Sequence, residues 1–293
     1  MTCKSIVSFL GLTLFAQDPV VWVNRPKPGQ QLPAGVAHHV YRSKAMNVDV
    51  GYLIYLPPSY TSDSPKRYPV IYNLHGAGGN ELHGFEEARL LDQGIREGKW
   101  PPMIMVFVNG GARTFYKDSG DRKTLAETTV IKELIPHIDT TYLTIAERKG
   151  RAIEGFSMGG RGSTRLAMKH PEMFTSLFNQ AGNVMHVSTA ERNDYLGDNR
   201  ANYIDNDAYL LLKKNLASIK GKMRIQIWCG TKDDGHLPTI REFHKALLDE
   251  GIDHSYFEIE DLAHQRTEMV KRYANVWFDY HVESFRRAGA LAK

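Results

Sequence analysis

The chain has 293 residues, 42% of them hydrophobic and 24% charged, with a net charge of +4. That apolar content allows a full core and excludes a disordered chain, and the length suits one α/β enzyme domain. Lys and Arg are scattered without a basic run, so no nucleic-acid partner is expected.

In chain order, Lys4 followed by the mostly apolar run Ile6 to Phe15 reads as a secretory signal. The expectation is a signal over residues 1–17 and a secreted or periplasmic protein; the alternative is an apolar segment that packs on the body. No other stretch is long and apolar enough to span a bilayer, so no stable membrane association is expected. Asp18 to Ala37, rich in Pro, Gly and Gln, reads as an extended segment with little regular structure. Residues 18–45 are therefore taken as an N-terminal arm and 46–293 as one domain.

Val48 to Leu56 alternates apolar residues and stops at Pro57-Pro58, which predicts a half-buried strand. Tyr68 to Leu74 and Met103 to Val108 are continuous apolar runs, as in strands buried on both faces. Helical spacing follows from Leu125 to Ile138. A short strand over Arg151 to Glu154 precedes a helix from Arg161 to His170. Then come a strand at Phe174 to Gln180 and a helix at Asp207 to Ile219 capped by Asp207. The rest reads as a strand at Met223 to Cys229, a helix at Thr239 to Glu250, a strand at Ser255 to Ile259 and a terminal helix at Thr267 to Arg287. This alternation predicts an α/β fold: a mainly parallel, doubly wound sheet with helices on both faces.

Between the strand at 151–154 and its helix lies Gly155-Phe156-Ser157-Met158-Gly159-Gly160. Strand, sharp turn and helix is the context in which G-x-S-x-G forms a nucleophile elbow; alone, the pentapeptide also fits a connecting turn. A serine hydroxyl needs a base, and the base needs an acceptor that holds its tautomer. Asp233, in Gly230-Thr231-Lys232-Asp233, follows one later strand, and His264 follows the last. Asp233 is preferred to its neighbour Asp234 because it ends the glycine turn directly. His264 is preferred to His236, close to Asp233 in sequence, and to His254, which opens a strand; Asp261 stands beside it as a second acid. His75-Gly76-Ala77-Gly78-Gly79 follows the strand at 68–74, where backbone amides can meet a developing oxyanion. Ala77 and Met158 are the expected donors. His75 is expected to bond loop backbone. With Cys3 in the expected leader and Cys229 inside a strand, no disulfide framework and no cysteine zinc site are expected.

These motifs, with Leu56-Pro57-Pro58-Ser59-Tyr60, Tyr68-Pro69-Val70 and the Gly-Thr-Lys-Asp turn, resemble the esterase-D-like family of α/β-hydrolases, from about Val36 to the C-terminus. Within it the chain looks most like secreted bacterial feruloyl and carbohydrate-ester esterases. The resemblance implies an α/β-hydrolase fold, a Ser157–Asp233–His264 triad, Ala77 and Met158 as oxyanion donors, no metal or organic cofactor, and a small or polysaccharide-linked ester as substrate. S-formylglutathione hydrolases usually carry a histidine where this chain has Phe156, and feruloyl esterases often carry an aromatic after the last histidine, where this chain has Gln265-Arg266-Thr267. Pocket walls are expected from the loops after Gly110, Gly182 and Gly235, with Arg113, Phe115 and Tyr116 as candidates to stack on an aryl acid or sugar. A short-chain carboxylesterase, an acyltransferase and a non-catalytic carbohydrate-binding module are the other readings.

Overall fold

The structure, a computed structural model, describes residues 20–186 and 199–292. The expected signal over 1–17 lies outside the described residues.

Eight strands are formed among the described residues: β1 (Val36–Ser43), β2 (Val48–Tyr55), β3 (Val70–Leu74), β4 (Ile104–Val108), β5 (Arg151–Phe156), β6 (Ser176–Gln180), β7 (Arg224–Gly230) and β8 (Ser255–Ile259). They make one sheet in the order β1-β2-β4-β3-β5-β6-β7-β8. β1 and β2 are antiparallel to each other, and β2 to β4; every pairing from β4 to β8 is parallel. The helices are α1 (Phe85–Arg96), α2 (Ala126–Thr128), α3 (Ile135–Thr141), α4 (Met158–Lys169), α5 (Arg200–Asp205), α6 (Ala208–Lys214), α7 (Leu216–Ile219), α8 (Leu237–Asp249) and α9 (Arg266–Arg287).

The central strands β3 and β4 are buried at every position. Because successive side chains point to opposite faces, their apolar runs feed two cores. Ile71, Met105, Phe107 and Ala152 pack with Leu91 of α1 and Phe278 and Phe285 of α9. Tyr72, Val106 and Ile153 pack on the other face with Val130, Ile138 and Leu166. The expected doubly wound α/β fold is therefore present.

Three differences from the sequence reading stand out. β1 occupies residues 36–43, inside the segment taken as an arm; its exposed outer positions carry His39 and Arg42, so the apolar alternation of an edge strand is interrupted. α1 has no counterpart among the predicted elements, although Phe85, Ala88 and Leu91 follow helical spacing. The helix foreseen from Leu125 to Ile138 is α2 and α3 joined through a wider π-helical turn at Thr129–Leu134. The Asp207 cap is observed: its carboxylate accepts from the amides of Tyr209 (2.8 Å) and Leu210 (3.1 Å).

Register sets the site. Leu74 is level with both Val108 and Gly155, Phe156 with Gln180, and Gly230 with Ile259. The loops leaving β3, β4, β5, β7 and β8 thus emerge along one edge of the sheet, at the carboxyl ends of parallel strands, where α/β folds collect their sites.

Candidate active site

At Ser157 the chain leaves β5 and enters α4 with φ 57° and ψ −118°. This is a left-handed conformation that costs a non-glycine residue about 1–3 kcal/mol. The turn is held by the Ser157 amide donating to the Gln180 carbonyl (2.8 Å) and the Arg161 amide donating to the Ser157 carbonyl (3.0 Å). Gly159 is required by close approach: a Cβ there would fall 2.0 Å from the Leu74 carbonyl oxygen. That contact seats the start of α4 directly against the end of β3.

Below the turn, Glu154 is fully buried and bound from four sides. Its carboxylate accepts from Trp277 Nε1 (2.5 Å), Asn73 Nδ2 (2.6 Å) and Gln180 Nε2 (3.4 Å), and His281 Nε2 lies 2.7 Å away. α9 is thereby pinned to the strand that carries the serine.

The three expected triad residues meet. His264 Nε2 lies 2.8 Å from Ser157 Oγ, and His264 Nδ1 lies 2.5 Å from Asp233 Oδ2. The carboxylate can only accept from Nδ1–H, so Nε2 keeps a lone pair that accepts the serine hydroxyl. The loops are stitched together: the Lys232 amide donates to the Leu262 carbonyl (2.9 Å) and the Asp261 amide to Thr231 Oγ1 (3.0 Å). Arg266, two residues past His264, pairs with buried Glu87 and donates to the His83 carbonyl (3.0 Å), tying this loop to α1.

Asp233 is 2% exposed. Burial by itself would raise its carboxyl, but hydrogen bonds from His236 and His264 outweigh burial and hold it well below the usual carboxylate range. Asp234 is exposed, and Asp261 is exposed and paired with Lys232 at 2.8 Å, so neither reaches His264. The sequence reading set His236 aside, yet its Nδ1 sits 2.7 Å from Asp233 Oδ1, and its ring lies on that of His264 with centroids 4.0 Å apart and planes 5° apart. Asp233, His236 and His264 carry enough donor atoms to suggest a metal cage. Two rings lying face to face send their nitrogen lone pairs out side by side, however, and the arrangement is one of hydrogen bonds to a shared carboxylate. Cys229, beneath the acid, is buried and its thiol is pushed up to about 12 by burial and by the Asp233 charge, which leaves it inert.

The glycine loop after β3 lies beside the serine: a Cβ on Gly76 would sit 3.5 Å from Ser157 Cβ. Neither the Ala77 nor the Met158 amide has an acceptor among the described residues, which leaves both available to donate to an oxyanion. His75 supports the loop as expected. Its Nδ1–H donates to the Gly76 carbonyl (2.9 Å) and its Nε2 accepts from the Gly110 amide (3.3 Å). Burial pulls it down to about 4, so it stays neutral. The Gly78 amide donates to the Ala112 carbonyl (2.7 Å).

The candidate substrate residues divide. Tyr116 is 0% exposed and donates its hydroxyl to the His75 carbonyl (3.1 Å). It is a post under the glycine loop, and the expectation that it stacks on substrate is corrected. Phe115 and Tyr116 are consecutive left-handed residues, φ 53° and 55°, and the turn leaves Phe115 half-buried with the Arg161 guanidinium 4.9 Å over its ring. Arg113 is exposed on the same loop. The wall expected after Gly182 runs into residues 187–198, outside the described residues.

A family model described as "Putative esterase" matches residues 43–286. Among curated proteins, an endo-1,4-beta-xylanase/feruloyl esterase of Xylanibacter ruminicola is 36% identical over 129 residues, 41% of this chain and 18% of that protein. An acetyl esterase of Caldicellulosiruptor saccharolyticus is 27% identical over 206 residues, 65% of this chain and 75% of that protein. Matches to the first curated relatives thus span a third of their length or less. Among solved structures, a ferulic acid esterase superposes with a TM-score of 0.71 at 24% identity, covering 86% of this chain and 98% of that one, which establishes the shared α/β-hydrolase fold.

Proposed function

This chain belongs to the esterase family of that model, and we propose that it is a serine carboxylic-ester hydrolase acting on feruloyl or acetyl esters of carbohydrates. The observation that carries the proposal is the line from Asp233 through His264 to Ser157, with gaps of 2.5 and 2.8 Å, built from three separate strand ends.

In this reading Ser157 Oγ attacks the ester carbonyl carbon while its proton passes to His264 Nε2. Asp233 holds the Nδ1–H and stabilises the imidazolium. The carbonyl oxygen becomes an oxyanion held by the amides of Ala77 and Met158, each such donor contributing about 3 kcal/mol in the transition state. The carbon–oxygen bond to the alcohol breaks, and the alcohol leaves with the proton from His264. Water then attacks the acyl-enzyme, gives its proton to His264, and the acid departs as Ser157 recovers its hydrogen. The chemistry uses side chains and backbone alone.

Support for the acyl part comes from two relatives, one named for feruloyl and one for acetyl esters, and support for a carbohydrate alcohol from the xylanase in the first one's name. Arg113 and Phe115, on the loop after β4, are proposed to line the acyl side. An ester on an extracellular polysaccharide fits the export reading of residues 1–17, and we include secretion in the proposal. The test is an assay of the purified protein on p-nitrophenyl acetate, methyl ferulate, acetylated xylan and S-formylglutathione beside Ser157→Ala. The expected result is hydrolysis of the first three, with kcat lowered at least ~10³-fold in the variant. Inactivity on all four substrates, or a folded Ser157→Ala that keeps most activity, would overturn the reading. Transfer of the acyl group to a sugar in place of water would reassign the chain as an acyltransferase.

A further inference from the structure

The triad acid is shared. A buried carboxylate needs both oxygens satisfied, and Asp233, with its side chain 3% exposed, satisfies them with two different histidines. Oδ2 takes His264 Nδ1 and a distant contact from the Cys229 thiol (3.8 Å). Oδ1 takes His236 Nδ1 at 2.7 Å, and among the described residues no other donor to it is recorded. His236 is held in place by its own backbone. Its amide donates to the Asp233 carbonyl (3.1 Å), so residues 233 and 236 close a turn, and its carbonyl accepts from Thr239 Oγ1 (3.0 Å) at the start of α8. The His264 ring is flanked by His236 at 4.0 Å and by Phe156 at 4.6 Å between centroids.

We propose that His236 is a positioning residue: by holding the second oxygen of Asp233 it fixes the carboxylate, and through it the imidazole of His264, in line with Ser157. The inference rests on the ester-hydrolase reading above. Without the His236 donor, Oδ1 is a buried charged acceptor with no partner, and the carboxylate is free to rotate away from His264. His264 then spends part of its time out of line with the serine. Such a loss falls on the chemical step, because His236 acts through Asp233 and His264, which align the serine.

Two variants separate the donor from the ring. His236→Phe keeps a flat ring against His264 and removes the donor; His236→Asn keeps an N–H donor near the position of Nδ1 and removes the ring. The readouts are kcat and KM on p-nitrophenyl acetate, with a fluorophosphonate probe to count reactive Ser157 so that kcat is expressed per folded site. With one hydrogen bond to a charged group lost, His236→Phe is expected to lower kcat about tenfold at unchanged KM, and His236→Asn to stay within about threefold of the parent. A parental kcat in His236→Phe, or a His236→Asn as slow as His236→Phe, would overturn the proposal. An inactive parent, or an active Ser157→Ala, signals failure of the ester-hydrolase reading itself and is distinguishable in the same assay.

Discussion

Glu154 of β5 and His281 of α9 lie 2.7 Å apart with both side chains fully buried, and Glu154 stands three residues before the serine that follows its strand. Trp277 donates to the same carboxylate oxygen. A carboxylate surrounded by donors in a dry interior cannot be replaced by an amide without turning an N–H toward them. Glu154→Gln is therefore expected to lose about 3 kcal/mol of stability in urea unfolding, the scale of a broken buried pair. Trp277 fluorescence should report the change. Activity per folded molecule should fall far less than stability, because Glu154 touches no reacting atom.

The choice between adjacent acids is open to direct test. Asp233→Asn presents an amide to His264 Nδ1 and favours the wrong tautomer, so kcat on p-nitrophenyl acetate should fall by about 10⁴, the effect of the same exchange in other triads. Asp234→Asn, at an exposed position, should leave kcat unchanged. Equal losses in the two variants would dismantle the triad assignment.

Glu127 supplies a pH test of stability. It accepts from Lys169 Nζ (2.9 Å), and His170 Nε2 lies 2.8 Å from its other oxygen, so it fastens the end of α4 to α2. Burial alone would raise its carboxyl, yet His170 and Lys169 pull it down from 4.5 to about 2. A folded-state value below the unfolded one means that the unfolded chain binds more protons in that window. The contribution is complete above pH 4.5 and is lost as pH falls toward 2. The stability difference between the parent and Glu127→Gln should be largest above pH 5 or so and should shrink toward zero near pH 2. A difference that stayed constant across this range would contradict the assigned pairing.

Close approach at the elbow gives a paired prediction. A Cβ on Gly159 would enter the Leu74 carbonyl, whereas a Cβ on Gly235 meets nothing within 4 Å. Gly159→Ala should destabilise by at least ~2 kcal/mol and abolish esterase activity by forcing α4 away from β3. Gly235→Ala should be within about 0.5 kcal/mol of the parent and fully active. Thermal melts and kcat for the two variants decide the point.

Much of the fold was legible because parallel strands and their helices carry their signals locally. β3 and β4 read as strands since every position is buried, and α6 because Asp207 caps it. β1 was not legible, because an edge strand with histidines and an arginine lacks a clean alternation. Tyr116 shows another limit. An aromatic on a loop reads alike whether it faces solvent or core, and only the buried hydroxyl bond to the His75 carbonyl distinguishes them. His236 was set aside for its nearness to Asp233 in sequence; that nearness is what lets the turn bring the two side chains together.

By itself, then, the sequence singled out which atoms could react and in what order they occur, because Ser157, Asp233 and His264 each follow a recognisable strand, the first two in glycine-marked turns. Tertiary structure alone decided what holds those atoms still. Glu154 finds Trp277 123 residues away, and His264 finds Ser157 107 residues away. Partners so far apart in the chain leave no local pattern; the sheet register and the packing of α9 bring them together, and the direction of each side chain there is set by what fills the space around it.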